Sequence, residues 1–272
     1  VQDIGLLGVP FDANSSFRRG ARKAPRAIRA ALGSDAGNAW SERGLQVWPS
    51  ARVLDHGDLR VAAQKGSRKP IEQIERGVTA ALAKSPSLVV LGGDHAVTYP
   101  VLRAFAARYG KLSVLHFDAH PDLYPELDGN PYSHACPFAR SLEAGLIDRL
   151  VQVGIRSHTP AQAEVARRHA VETWHAWDMP RLKRLSFRAP LYVSIDLDAL
   201  DPAFAPGVSH PEPGGLSVRQ VLDVISGVRA RRIVGGDVVE LNPDCDAGGL
   251  SAVVAAKLVR ELLAAMTERP PD

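Results

Sequence analysis

The sequence predicts an α/β fold, a mostly parallel sheet covered by helices on both faces, from two observations. Short apolar or β-branched runs, each closed by Gly, Asp or Pro, recur along the chain, and stretches with helical spacing separate them. Runs of this kind suit strands buried on both faces, which a parallel sheet provides once helices cover it. Taken in order, the strand runs are 4–9, 53–55, 88–91, 112–117, 150–155, 191–197 and 233–239. The helical stretches between them include 70–84, 100–109, 160–169 and 217–228, and a last one covers 250–267. In that last stretch Val254, Leu258, Leu262 and Met266 recur every four residues and stack on one helix face. No internal repeat, low-complexity tract or linker interrupts the alternation, so one domain over residues 1–272 is expected.

Composition narrows the function. A chain of 272 residues, 45% hydrophobic and 23% charged, is long enough to bury a sizeable core. No uncharged apolar run approaches the ~18 residues a membrane span needs, so no membrane partner is expected. Lys+Arg 33 against Asp+Glu 30 gives +3, too balanced for a nucleic-acid footprint. The basic stretches 18–29, 181–188 and 229–232 have no aromatics interleaved with their arginines and read as solvated faces. Cys136 and Cys245 lie far apart and outside any CxxC, which points to a reducing compartment; a cytoplasmic location is expected. Residues 1–10 show neither a basic leader nor a small-residue cleavage site, so no signal peptide is expected.

In open parallel sheets ligands gather outside the carboxyl ends of the strands. Four such ends are dense in Asp and His. Gly92-Gly93-Asp94-His95 follows one strand, Asp118-Ala119-His120-Pro121-Asp122 the next, Asp196-Leu197-Asp198 a third, and Glu240 a fourth. An extended chain repeats every two residues, so Asp118, His120 and Asp122 point to one side, as do Asp196 and Asp198. Carboxylates crowded at a buried strand end repel one another unless a cation neutralises them. His95, His120, Asp118, Asp122, Asp196 and Asp198 exceed the needs of one open catalytic ion, which implies two ions sharing carboxylates. Oxygen-rich ligation with two imidazoles and no thiolate suits Mn²⁺, with Fe²⁺, Co²⁺, Ni²⁺ or Zn²⁺ also compatible. Asp94 reads as an acceptor for backbone or ligand-orienting hydrogen bonds, Asp201 before Pro202 as turn chemistry, and Asp237 as structural.

Gly92-Gly93-Asp94-His95, Asp118-Ala119-His120-Pro121-Asp122 and the third motif read in full, Ser194-Ile195-Asp196-Leu197-Asp198-Ala199-Leu200-Asp201-Pro202, resemble the signatures of the ureohydrolases, the arginase and agmatinase family. Residues 14–17, 132–135, 205–217 and 254–262 are similar to plant-type arginases, an agmatinase-like subgroup. The resemblance implies a three-layer α/β/α sandwich with an eight-stranded sheet, two Mn²⁺ per subunit and a trimer or hexamer. It implies that His95 and Asp122 bind one ion, His120 and Asp198 the other, and that Asp118 and Asp196 bridge. Glu240 matches the carboxylate that holds the substrate's guanidinium, and His134 the histidine of proton transfer.

The implied activity is hydrolysis of a small cationic guanidino substrate to urea, with L-arginine to L-ornithine as the first expectation and agmatine to putrescine as the alternative. The chain reads Pro-Gly-Val-Ser-His at 206–210 where typical agmatinases carry Pro-Gly-Thr-Gly-Thr, which favours arginine. Asn14, Ser15, Asn130 and Ser133, with Tyr132 and His158, are the polar candidates for holding the amino-acid end.

Overall fold

The computed structural model describes residues 4–50, 52–181 and 185–267; residues 182–184 of the basic stretch 181–188 lie outside it. Among the described residues ten strands follow in chain order: β1 (Ile4–Gly8), β2 (Val53–Asp58), β3 (Ser87–Leu91), β4 (Leu112–Phe117), β5 (Ile147–Ile155), β6 (Glu172–His175), β7 (Ser186–Phe187), β8 (Leu191–Asp196), β9 (Arg229–Ala230) and β10 (Ile233–Val239). Eight form one parallel sheet in the order β2-β1-β3-β10-β8-β4-β5-β6, and β7 pairs with β9 separately. The helices are α1 (Ala24–Leu32), α2 (Arg68–Lys84), α3 (Thr98–Tyr109), α4 (Pro137–Glu143), α5 (Pro160–Arg168), α6 (Val218–Gly227) and α7 (Leu250–Thr267).

Side-chain alternation divides the core into two layers. Leu88 and Val90 of β3 join Ile74 and Val78 of α2, Leu102 and Phe105 of α3 and Phe138 of α4 on one face. Val89 and Leu91 join Ile28 of α1, Val221 of α6 and Leu258 and Leu262 of α7 on the other. The apolar side chains Leu88 to Leu91 of β3 are fully buried, each contributing on the order of 1.5–3 kcal/mol if moved from water. The expected three-layer α/β/α sandwich is therefore observed.

Differences from the sequence expectation have local causes. β5 begins at Ile147 rather than 150, because exposed Asp148 and half-buried Arg149 interrupt the apolar signal; Ile147 and Arg149 pair with β4, and Asp148 sits at a register shift between them. The eighth sheet strand, β6, has the sequence Glu-Thr-Trp-His and is half-buried at the sheet edge, so it carries no apolar run. α1 and the short α4 are likewise absent from the sequence expectation.

Candidate metal centre and substrate cavity

The strands carrying the four Asp/His-rich ends, β3, β10, β8 and β4, are consecutive in the sheet. Parallel pairing brings all their carboxyl ends to one edge. After β3 the chain passes so close to residue 11 that a Cβ on Gly93 would fall on the carbonyl oxygen of Phe11, which accepts the N–H of Asp94 at 2.8 Å. Asp122 (φ 52°) and Glu240 (φ 62°) occupy the left-handed region, a conformation costing a non-glycine residue ~1 kcal/mol or more. Glu240 is held there by its N–H to the carbonyl of Gly93 at 2.9 Å, and its carboxylate Oε1 accepts the backbone N–H of His95 at 2.8 Å.

Nδ1 of His95 stands 3.2 Å from Asp118 Oδ2, 3.0 Å from Asp122 Oδ2 and 3.1 Å from Asp196 Oδ2. Nδ1 of His120 stands 3.0 Å from Asp198 Oδ2 and 3.4 Å from Asp118 Oδ1. Asp118 thus reaches both imidazoles with different oxygens. Asp196 turns Oδ2 to His95, while its Oδ1 accepts the N–H of Asp198 at 2.8 Å. Burial first, then the neighbouring charges of Asp198 and Asp118, pushes the Asp196 carboxyl well above its ordinary value; burial and Asp118 likewise raise Asp122 and Asp198. Asp118 is the exception, since burial works against its charge but His116 holds it well below the ordinary value.

The hydrogen bonds of Ser194 and Asp237 fix which nitrogen of His95 donates its proton away from the carboxylates. Buried Asp237 accepts from Thr98 Oγ1 at 2.8 Å, Tyr192 Oη at 2.8 Å and Ser194 Oγ at 2.6 Å. The Ser194 hydroxyl has one proton, and that proton goes to Asp237. Its 3.0 Å contact with His95 Nε2 is therefore an N–H donated to it, so the neutral ring turns its Nδ1 lone pair to the three carboxylates. Against the cost of burial, those carboxylates favour positive charge there and raise the ring's pKa well above its ordinary value. Nδ1 is a buried atom with no hydrogen-bond partner. A bare lone pair amid carboxylate oxygens calls for a cation, and the oxygen-rich donor set with two imidazoles fits a divalent metal ion. Asp237, expected to be merely structural, instead anchors this chain of contacts.

His116 escaped the sequence reading, although a histidine in the apolar run 112–117 was the available signal. Burial keeps it neutral by pushing its pKa down. Its Nδ1 accepts from Gln152 Nε2 at 3.0 Å, so its Nε2–H donates to Asp118 Oδ2 at 2.7 Å. The guanidinium of Arg156 holds the opposite rim, donating to the carbonyls of Asp198 at 2.7 Å and Ala199 at 3.2 Å.

A cavity of about 190 Å³ opens over these carboxylates. His134, Glu240, His120, Asp122, Asp196 and Asp198 line it, so the structure brings these expected residues together; His95 and Asp118 lie buried beneath. His134 Nδ1 is 3.3 Å from Glu240 Oε1, while the buried Glu240 Oε2 has no partner.

The expected contacts to the amino-acid end need correction. Asn14, Ser15, Asn130 and Ser133 are buried and absent from the cavity lining. Asn14 gives its N–H, and Ser15 its hydroxyl, to Asp94 Oδ2 at 2.9 and 3.4 Å. Asn130 Nδ2 donates to Asn14 Oδ1 at 3.1 Å, and Ser133 Oγ accepts the N–H of Ala135 at 3.4 Å. They brace the loops behind the wall. Asp94 serves that loop as an acceptor, its carboxyl pushed up to about 8 by burial and by Glu240. Tyr132 is engaged by Arg68, whereas His158 does line the cavity. The other polar wall groups, Ser16, Tyr124, Ser157, Thr159, Gln162 and His210, were not identified as contacts from sequence.

A sequence model of the arginase family matches residues 2–265. The chain belongs to the arginase family. A mitochondrial arginase of Medicago truncatula is 43% identical, covering 97% of this chain and 82% of the relative. Proclavaminate amidinohydrolase of Streptomyces clavuligerus is 35% identical, covering 96% of this chain and 87% of the relative. The solved structure of arginase from Medicago truncatula superposes with a TM-score of 0.92, covering 97% of this chain and 87% of that one at 43% identity. As an arginase-family ureohydrolase the protein is a metal-dependent hydrolase of small guanidino compounds. The cytoplasmic expectation is corrected by the name of the Medicago relative, which is mitochondrial. Sparse cysteine reports a reducing interior, and that property does not single out the cytoplasm.

Proposed function

We propose that the protein hydrolyses L-arginine to L-ornithine and urea with two Mn²⁺ ions. His95 and Asp122 would hold one ion and His120 and Asp198 the other, with Asp118 and Asp196 serving both. The chemistry such a pair supplies when bound is a water molecule acidic enough to attack carbon near neutral pH.

The observation that carries the reading is the free, buried Oε2 of Glu240 beside the carboxylate cluster. Burial works against the charge of Glu240, but the hydrogen bond and charge of His134 keep its carboxyl below the ordinary value. An ionised carboxylate with one oxygen tied to the His95 N–H and the other unpaired is an acceptor for guanidinium N–H groups. Burial opposes the charge on His134 too, yet Glu240 lifts it to about 9. Below that pH His134 is an imidazolium, with a proton to give as the C–N bond breaks and the amine leaves.

Two features favour arginine over agmatine. All four carboxylates lining the cavity, Asp122, Asp196, Asp198 and Glu240, belong to the metal and guanidinium end. The part of the wall formed by Ser157, His158, Thr159 and Gln162 at the start of α5 carries no carboxylate. A bare ammonium gains little there, whereas a carboxylate is favoured by hydroxyl and imidazole donors near a helix N-terminus. A homo-oligomer, trimer or hexamer, completes the reading; exposed Trp177, Phe204 and Leu250 offer apolar surface to another copy.

The test is urea release from a panel of guanidino compounds after incubation with Mn²⁺. Arginine should exceed agmatine in kcat/KM by at least about tenfold. A preference for agmatine overturns the substrate, and no urea from any guanidino compound overturns the reading.

A further inference from the structure

The Pro-Gly-Val-Ser-His stretch ends in a histidine that the proposed reaction leaves without a task. The stretch is fixed beside Glu240: Val208 bridges Leu241, the N–H of Asn242 donates to the carbonyl of Gly207 at 2.8 Å, and Asn242 Nδ2 donates to Ser209 Oγ at 3.0 Å. The His210 ring therefore lies on that of His134, centroids 4.8 Å apart and planes 26° from parallel. Ser16 Oγ sits between them, 2.9 Å from His134 Nε2 and 3.3 Å from His210 Nε2.

We propose that His210, acting through the Ser16 hydroxyl, is a positioning residue that holds His134 as an imidazolium with its Nδ1–H presented at Glu240. This deepens the reading above and rests on it for the role of His134 in proton delivery.

A hydroxyl between two imidazole nitrogens donates one hydrogen bond and accepts the other. Two stacked imidazoles this close do not both carry charge. Burial, then the charge of His134, pushes His210 down to about 4, so His210 is the neutral partner. Its Nε2 takes the Ser16 proton, and the serine is left with only a lone pair for His134 Nε2–H. Without His210 the hydroxyl is free to turn and donate to His134, which would stabilise the neutral ring.

Charged neighbours favour the same proton, and the orientation of the hydroxyl adds to their effect. His134 faces the carboxylates of Glu240, Asp122 and Asp94, which favour its proton whatever the hydroxyl does. His210 faces His134, Glu240, His120 and Asp118, and its outer side meets Phe17 at 5.8 Å, over which Arg18 lies.

The test uses the Mn²⁺-loaded protein and reads His134 directly, as the pH dependence of its carbethoxylation followed by peptide mass. Ser16→Ala, at an exposed position, and His210→Phe should each lower the His134 midpoint by about one pH unit. The alkaline limb of kcat should move with it, with KM changed less than about twofold and metal content retained. His210→Gln, which restores an acceptor to Ser16, should recover most of the shift. The proposal is overturned if the midpoint stays within about 0.3 unit of wild type in Ser16→Ala and His210→Phe, or if His210→Gln shifts as far as His210→Phe. Should wild type release urea from no guanidino compound, the reading of the reaction fails while carbethoxylation still decides the role of His210.

Discussion

Asp118→Asn should reduce kcat/KM for urea release by at least about 10³-fold, on the order of 4 kcal/mol of transition-state stabilisation, and should lower bound metal per chain. The reason is geometric. Asp118 presents Oδ2 to His95 and Oδ1 to His120, so it reaches both cation positions. An amide in its place offers one neutral acceptor and one N–H₂ group, and the N–H₂ repels a cation. His116 gives the substitution a second cost, because its Nε2–H, aimed at Oδ2, loses a charged acceptor. Metal analysis after dialysis and steady-state kinetics at saturating Mn²⁺ check both parts; near-wild-type turnover with full metal content would remove Asp118 from its shared role.

Glu240→Gln should leave metal content unchanged and lower kcat/KM by about 10³-fold, the ~4 kcal/mol that attends removal of one partner from a buried charge pair. The amide carbonyl still accepts the His95 N–H. What changes is the second oxygen, which becomes a donor facing the guanidinium's own donors. The variant also withdraws the charge that keeps His134 at about 9. His134 contributes its proton below its pKa and loses it as pH rises through that value, so the alkaline limb of kcat should move to lower pH. KM and kcat measured across pH separate the two effects. An unchanged KM with an unmoved limb would place the guanidinium elsewhere.

The metal end was legible in sequence because strand-end motifs are short and the parallel sheet does the rest. The extended-chain spacing of Asp118, His120 and Asp122 is not what gathers them: the chain bends after β4, Asp122 is left-handed and Asp198 lies in a short 3-10 turn, so the common carboxyl edge of the parallel strands brings these side chains together. Residues whose role depends on distant loops were not legible. Asn14 and Ser15 adjoin Ser16 in sequence, yet the turn carries the first two inward to Asp94 and only Ser16 to the cavity. His116, Gln152, Ser194 and Asp237 sit inside strands, where a lone polar residue reads as a satisfied core group. Their part in fixing Asp118 and His95 emerges only from which atoms meet. The edge strand β6 was lost for the opposite reason, being too polar to register.

Diffraction data collected at the manganese absorption edge, from crystals of the Mn²⁺-incubated protein, test the paired cation centre most directly. Two anomalous peaks per chain are expected, one beside His95 and Asp122 and the other beside His120 and Asp198, both within reach of Asp118 and Asp196. A single peak, or none with these side chains turned apart, would contradict it.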